Sequence, residues 1–290
     1  KKNWITPTGL NLIKMALLAK SIGLYINILS YVAPKKAFSL AYKLFSNPRA
    51  GKLKAEDLPQ ILQIAHKETI QDNEHAIQTY LWKGNDTVIL LAHGWESNTA
   101  RWEKLLHHLL ETGNTIVALD APAHGLSSGK EFNVPIYASF IHSIVKKHHP
   151  KHIIGHSMGG IAAIYYQHLY PNHPLEKMVL LGAPSDFSII LDNYLNMLSL
   201  NNKIKNAFHD YISERFQITI SEFSGKKFIQ NSKLQGFIAH DIHDKIVLYT
   251  EAEKLASSWN HHTFVSTTGL GHSLHDVELN QKIVAFLLEA

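Results

Sequence analysis

The sequence contains no cysteine. This absence excludes disulfide bonds, thiolate metal sites and a cysteine nucleophile. The chain has 290 residues, of which 45% are hydrophobic and 18% are charged. This composition is typical of a folded protein, and the length suffices for one large α/β domain with an insertion.

Acidic residues are missing from the first 55 positions. Residues 1–55 hold ten lysines and arginines and no aspartate or glutamate, whereas residues 56–290 hold 18 basic and 24 acidic residues. We predict a basic helical extension over 1–55 and a main domain over 56–290. A basic, apolar segment favours an anionic membrane surface as partner over nucleic acid, because no nucleic-acid motif accompanies it.

No apolar run is long enough to span a membrane. The best candidate, the uncharged stretch from Ser21 to Ala33, has 13 residues, and a spanning helix needs about 20. Residues 9–33 are predicted to form an amphipathic or interfacial helix, with packing on the protein body or on a second copy as the alternative. No signal-peptide cleavage pattern is present, and we expect a cytoplasmic protein with peripheral membrane contact.

Short apolar runs alternate with helical patterns from Thr87 onward. Such runs predict parallel strands covered by helices on both faces, and therefore an α/β fold. The predicted strands are 88–92, 115–119, 153–154, 178–181, 236–239 and 263–266, preceded by a hairpin over 68–82. Residues 188–232 interrupt the alternation with helical spacing, and we predict a lid there, with a helical excursion away from the site as the alternative.

The nucleophile candidate is Ser157, in Gly155-His156-Ser157-Met158-Gly159. This G-x-S-x-G sequence follows a predicted strand and precedes a predicted helix. That context is what a strained nucleophile turn requires, and the flanking glycines relieve its crowding. The helix N-terminus would place backbone N–H groups beside a developing oxyanion.

A second oxyanion donor is expected after the strand 88–92. There the sequence reads His93-Gly94-Trp95, and the glycine lets the chain bend so that the Trp95 N–H points inward. We predict that this N–H and that of Met158 form the oxyanion hole.

A serine nucleophile needs a base and an orienting carboxylate, here expected in the chain order serine, acid, histidine. His272 follows the last predicted strand, directly after Gly269-Leu270-Gly271. It is the predicted base, with His275 as the alternative. Asp244 follows the strand 236–239 and is the predicted acid. Asp241 and Asp186 remain alternatives for that role.

The loop that begins at Asp120 follows another predicted strand and is expected to shape the site beside the nucleophile turn. His124 in this loop is an alternative base, although a structural role is more typical of a histidine beside proline and glycine. Paired histidines elsewhere, such as His107-His108, lack metal-site spacing, so we predict no metal and no cofactor.

These motifs together resemble the α/β-hydrolase superfamily, and within it the esterase and lysophospholipase-type hydrolases, over roughly residues 68–290. The resemblance implies a Ser157–Asp244–His272 triad and the Trp95 and Met158 amides as oxyanion hole. The sequence departs from the family pattern at Ala123 and at Asp241, where glycine is usual.

The expected function is hydrolysis of carboxylic esters, with a small-molecule ester that carries an apolar or lipid-like acyl group as substrate. An acyltransferase, thioesterase or amidase would use the same triad, and a non-catalytic binding protein on this fold is a further alternative. The sequence does not give the oligomeric state.

Overall fold

A computed structural model describes residues 9–289. Its contacts divide the described chain into two compact units. The sheet unit comprises Asn47–Asp186 and the chain from Ser224 onward. The helical unit comprises the chain up to Ser46 together with Phe187–Phe223.

The sheet unit is built on one eight-stranded sheet in the order β1-β2-β4-β3-β5-β6-β7-β8. The two pairings made by β2 are antiparallel and all the others are parallel. The strands are β1 His66–Asp72, β2 His75–Trp82, β3 Val88–Ala92, β4 Thr115–Leu119, β5 His152–His156, β6 Lys177–Leu181, β7 Gln235–Asp241 and β8 His262–Thr267. The predicted α/β fold with a mostly parallel sheet is confirmed.

The central strands are short because each is an apolar run buried on both faces. All five residues of β4, β5 and β6 are buried, which is the pattern expected where helices cover both sides of a parallel sheet. The helices of this unit are α3 Gln60–Gln63, α4 Glu103–Glu111, α5 Val134–His148, α6 Met158–Leu169, α9 Gly225–Ile229, α10 Tyr249–Ala256 and α11 Val277–Leu288.

Aspartate side chains accept backbone hydrogen bonds ahead of two of these helices. Ahead of α10, which begins at Tyr249, the Asp244 carboxylate accepts hydrogen bonds from the Ile246 and Val247 N–H groups. The last helix begins at Val277, because Asp276 accepts from Leu279 N as an N-cap.

The helical unit consists of α1 Gly9–Val32, α2 Pro34–Ser46, α7 Phe187–Leu198 and α8 Asn202–Phe216. Ile26 of α1, Ala41 of α2 and Phe208 of α8 are completely buried in one apolar cluster with α7. Tyr194 Oη donates to Ala41 O at 2.6 Å. The N-terminal segment and the insertion therefore share a core, whereas the sequence suggested an extension over 1–55 and a separate insertion over 188–232.

Candidate active site

Ser157 lies in a sharp turn between β5 and α6. Its φ of +52° and ψ of −119° place it in a strained region for a residue with a side chain. The turn needs glycine neighbours: a Cβ on Gly155 would lie 2.6 Å from Gly160 Cα, and one on Gly159 would lie 2.1 Å from Ala92 O. The sequence predicted this strand–turn–helix geometry from the motif.

The other predicted site residues also follow strands of the parallel sheet. His93 follows β3, Asp120 follows β4, Asp244 follows β7 and His272 follows β8. The carboxyl ends of parallel strands meet at one edge of a sheet, and this edge is where open α/β folds place their ligands.

His272 and Asp244 are hydrogen-bonded at this edge. His272 Nδ1 lies 2.7 Å from Asp244 Oδ2, and the Asp244 side chain is completely buried. The carboxylate can only accept while it is ionised, so Nδ1 carries the hydrogen and Nε2 is left as a proton acceptor. Among the hydrogen bonds of the described residues, none joins Ser157 Oγ to His272; such catalytic contacts often tighten only when substrate binds.

A second histidine contacts the same carboxylate. His240 Nε2 donates to Val247 O at 2.9 Å and lies 3.4 Å from Asp244 Oδ2. Burial by itself raises the pKa of Asp244, but the hydrogen bonds from His240, His272 and the Ile246 N–H outweigh it and hold that pKa well below its usual range. Asp244 is therefore ionised at neutral pH. Sequence reasoning missed the contact from His240, although His240 lies four residues before Asp244.

Asp241, the alternative acid, points elsewhere. Its Oδ2 accepts from Thr267 Oγ1 at 3.0 Å and from Leu270 N at 2.8 Å, and its Oδ1 accepts from His243 N at 3.0 Å. Burial raises the pKa of Asp241, and these hydrogen bonds bring it below the ordinary value. The carboxylate ties the end of β7 to the loop that leads into His272.

Asp186, the other alternative acid, and His275, the alternative base, also have surroundings of their own. Asp186 binds Lys254 Nζ at 2.8 Å and Ser224 Oγ at 2.6 Å, so its carboxylate braces β6 against α10. Burial, together with the charge of Arg101, lowers the pKa of His275 to about 4.

The His93-Gly94-Trp95 segment lies directly against the nucleophile turn. A Cβ on Gly94 would lie 3.0 Å from Ser157 Cβ, so a side chain there would push the nucleophile turn by a few tenths of an ångström. In the part of the chain that the structure describes, the Trp95 and Met158 N–H groups donate to no protein acceptor. These are the two groups predicted to receive the oxyanion.

His93 anchors this segment as a neutral, completely buried imidazole. Its Nδ1 donates to Gly94 O at 2.8 Å, and its Nε2 accepts from Ala121 N at 2.9 Å. Burial lowers the pKa of His93 to about 3. Its 4.0 Å approach to the Asp120 carboxylate is therefore not an ion pair.

His124 supports the same segment from the neighbouring loop. Its Nε2 accepts from Glu96 N at 2.9 Å and its Nδ1 donates to Pro122 O at 2.8 Å, so both ring nitrogens are occupied. Burial lowers the pKa of His124 to about 4. These contacts give His124 a positioning role and leave it no free nitrogen for the alternative role of base.

Asp120 is the buried anchor of that loop. Its carboxylate accepts from Thr99, Tyr80 and Leu126, and a Cβ on Gly125 would collide with it at 2.0 Å. Ala123 adopts a φ of +63°, the left-handed region, at the position where the resembling family has glycine. This is a backbone conformation that glycine adopts more readily than alanine.

His156 connects the nucleophile turn to the base. Its Nε2 donates to His272 O at 2.8 Å, and the two rings lie 4.9 Å apart between centroids. Burial holds the pKa of His156 well below its ordinary value, so the ring is neutral. The residue beside the nucleophile therefore fixes the backbone of the predicted base.

Comparison with known proteins agrees with this architecture. A sequence model of the alpha/beta hydrolase fold matches residues 87–203. A serine hydrolase-like protein of Homo sapiens is 30% identical over 151 residues, which are 50% of this chain and 72% of that protein. A serine hydrolase-like protein of Danio rerio is 38% identical over 40% of this chain and 38% of its own length. A bifunctional esterase/perhydrolase of Acinetobacter calcoaceticus is 32% identical over 35% of this chain and 39% of its own length.

The match thus spans about two fifths of the length of the last two relatives. Among solved structures, a putative lipase from Acinetobacter baumannii superposes with a TM-score of 0.62 at 19% identity, over 81% of this chain and 98% of that one, which is a likeness of fold. The human relative, matched over most of its length, shows the family together with the fold. This chain belongs to the α/β-hydrolase superfamily and is similar to its serine hydrolases.

Proposed function

We propose that the protein hydrolyses carboxylic esters through an acyl-enzyme on Ser157, with His272 as base and Asp244 as orienting acid. The observation that carries the proposal is the 2.7 Å hydrogen bond between His272 Nδ1 and a fully buried Asp244 carboxylate. It leaves His272 Nε2 free to accept a proton at the edge of the sheet that carries the Ser157 turn. The esterase named among the relatives favours an ester over other acyl compounds.

In the proposed reaction Ser157 Oγ attacks the acyl carbon while His272 Nε2 takes its proton. The Trp95 and Met158 N–H groups stabilise the resulting oxyanion, and each such donor is worth roughly 3 kcal/mol of transition-state stabilisation. The tetrahedral intermediate collapses, and His272 gives the proton to the departing alkoxide. Water then attacks the acyl-enzyme with His272 again as base, which releases the carboxylic acid and restores Ser157.

An apolar acyl group is the proposed substrate. The Trp95 ring is partly exposed and packs edge-on against Phe132, with ring centroids 5.3 Å apart. This pair places an aromatic surface next to Gly94. The apolar composition of residues 188–232 and of the N-terminal segment agrees with this preference. The lid role of residues 188–232 stays a prediction.

A series of p-nitrophenyl esters from acetate to dodecanoate tests both parts of the proposal. We expect kcat/KM to rise from acetate to the medium-chain esters, and Ser157→Ala to lower kcat by at least roughly 10⁴-fold. Ser257→Ala, at an exposed serine, is the matched control and should leave kcat unchanged. Equal activity of wild type and Ser157→Ala would overturn the mechanism, whereas faster transfer to added alcohol than to water would identify an acyltransferase.

A further inference from the structure

Helix α1 is apolar on two opposite sides. One side, with Ile22, Ile26 and Leu29, packs into the core of the helical unit. The other side is exposed to solvent, although its residues are large and apolar. Seven of them are 58–77% exposed: Leu17, Leu18, Leu24, Tyr25, Ile28, Tyr31 and Val32. We call these seven residues the α1 outer face.

The α1 outer face is one continuous stripe. Successive residues of an α-helix are about 100° apart, and on that spacing the seven side chains fall within an arc of roughly 140°. Isolated exposed apolar residues are ordinary on a protein surface, but a contiguous patch marks a surface that another apolar phase covers. No described helix has the length and apolarity to cross a bilayer.

Exposed lysines lie on α1 and on the helix that follows it. Lys14 and Lys20 lie on α1 itself, and Lys35, Lys36 and Lys43 lie on α2; all five are exposed. Among the described residues none of these lysines forms a salt bridge.

The lysines of α2 also share a site with an apolar side chain. A shallow depression of about 370 Å³ is lined by Lys35, Lys36, Ser39, Leu40 and Lys43. An anionic headgroup with a short length of acyl chain is complementary to this lining. Lys203 of α8 adds a further cation, 4.2 Å from the centre of the Tyr31 ring.

We propose that the α1 outer face and the α2 lysines form a docking surface for an anionic lipid bilayer. Helix α1 lies in the plane of the membrane, with its outer face among the upper acyl segments and the lysines against the headgroup phosphates. Charge decides between a bilayer and a second copy of the chain. A symmetric dimer would bring this cationic patch against itself, whereas an anionic bilayer neutralises it.

Single-cysteine labelling tests which side of α1 meets the lipid, because the chain has no native cysteine. A nitroxide on Ile28→Cys is compared with one on Ile64→Cys, which replaces an apolar residue of the sheet unit with similar exposure, 66% against 60%. With vesicles of phosphatidylcholine and phosphatidylserine at 7:3, the label at position 28 should gain oxygen accessibility and lose accessibility to a polar relaxant, while the label at 64 should not change.

Vesicle co-sedimentation measures how much the apolar side chains of α1 and the lysines of α2 each contribute to binding the vesicles. Leu24→Ser with Ile28→Ser should weaken partitioning roughly 100-fold, since burying each such side chain is worth about tenfold or more. Lys35→Gln, Lys36→Gln and Lys43→Gln together should also weaken it roughly 100-fold, at about fivefold for each lysine, and should abolish the preference over pure phosphatidylcholine.

Matched controls are Ile64→Ser with Val277→Ser, and Lys83→Gln with Lys130→Gln, all at exposed positions of the sheet unit. They should bind vesicles as the wild type does, and circular dichroism checks that every variant is folded. The proposal is overturned if wild type does not sediment with the anionic vesicles at 0.1 M salt, or if the controls weaken binding equally. It is also overturned if the α1 substitutions instead dissociate a dimer that does not bind vesicles.

Discussion

Asp241 and Asp244 are two buried carboxylates only three residues apart, and their contacts separate their roles. Asp244 contacts the predicted base, whereas Asp241 holds the loop that precedes it through the Leu270 N–H and the Thr267 hydroxyl. The geometry supports Asp241 as a positioning residue, in a place where the resembling family has glycine. A sequence cannot distinguish the two, because the turn between them decides where each side chain points.

We predict that removing the Asp244 carboxylate lowers kcat more than removing the Asp241 carboxylate. Asp244→Ala should lower kcat by about 10⁴-fold, because His272 loses the acceptor that sets its tautomer. Asp241→Ala should lower kcat by at most roughly 100-fold, the effect of a displaced but intact base. Kinetics with a soluble p-nitrophenyl ester at pH 8, together with urea unfolding of each variant, measure this. A larger loss for Asp241→Ala than for Asp244→Ala would assign Asp241 as the acid.

At the scale of elements, the close approach of α6 to β3 depends on Gly159. A Cβ there would lie 2.1 Å from Ala92 O, so the helix would have to move away from the strand. We predict that Gly159→Ala lowers the free energy of unfolding by about 3 kcal/mol. Gly269→Ala is the control, because a Cβ at Gly269 meets nothing within 4 Å and its φ of +82° costs only about 1–2 kcal/mol. Equal losses in urea unfolding would show that the close approach is not what requires Gly159.

The elements themselves were largely predictable. Short apolar runs bounded by turn residues predicted Val88–Ala92 and Thr115–Leu119 to the residue, since a fully buried parallel strand is an uninterrupted apolar run. The strand order was not predictable, because β4 pairs between β2 and β3 through contacts that no local pattern encodes. The shared core of Ala41 and Tyr194 was not predictable either, because the two residues are 153 positions apart and no local pattern links them.

At the scale of the whole molecule, buried neutral histidines make the stability depend on pH. Burial lowers the pKa of His93 to about 3 and that of His124 to about 4, against about 6.5 in the unfolded chain. Between pH 6.5 and 4 the unfolded state therefore binds more protons than the folded state, so stability falls as the pH falls through this window.

We predict that each of these two histidines lowers the free energy of unfolding by about 2 kcal/mol between pH 7 and pH 5. Urea unfolding at pH 7, 6 and 5 measures the slope. His124→Gln, which is destabilised at every pH, should show a slope smaller by the contribution of one histidine. An unchanged slope in His124→Gln would mean that folding does not shift the pKa of His124.

The account rests on Ser157 being the activated nucleophile, and covalent labelling tests this most directly. A fluorophosphonate probe is incubated with the folded protein, with Ser157→Ala and with heat-unfolded wild type, and the modified peptide is identified by mass spectrometry. The account predicts one adduct per chain, on Ser157, in the folded wild type only. Absence of an adduct, or an adduct on another serine that persists in Ser157→Ala, would contradict it.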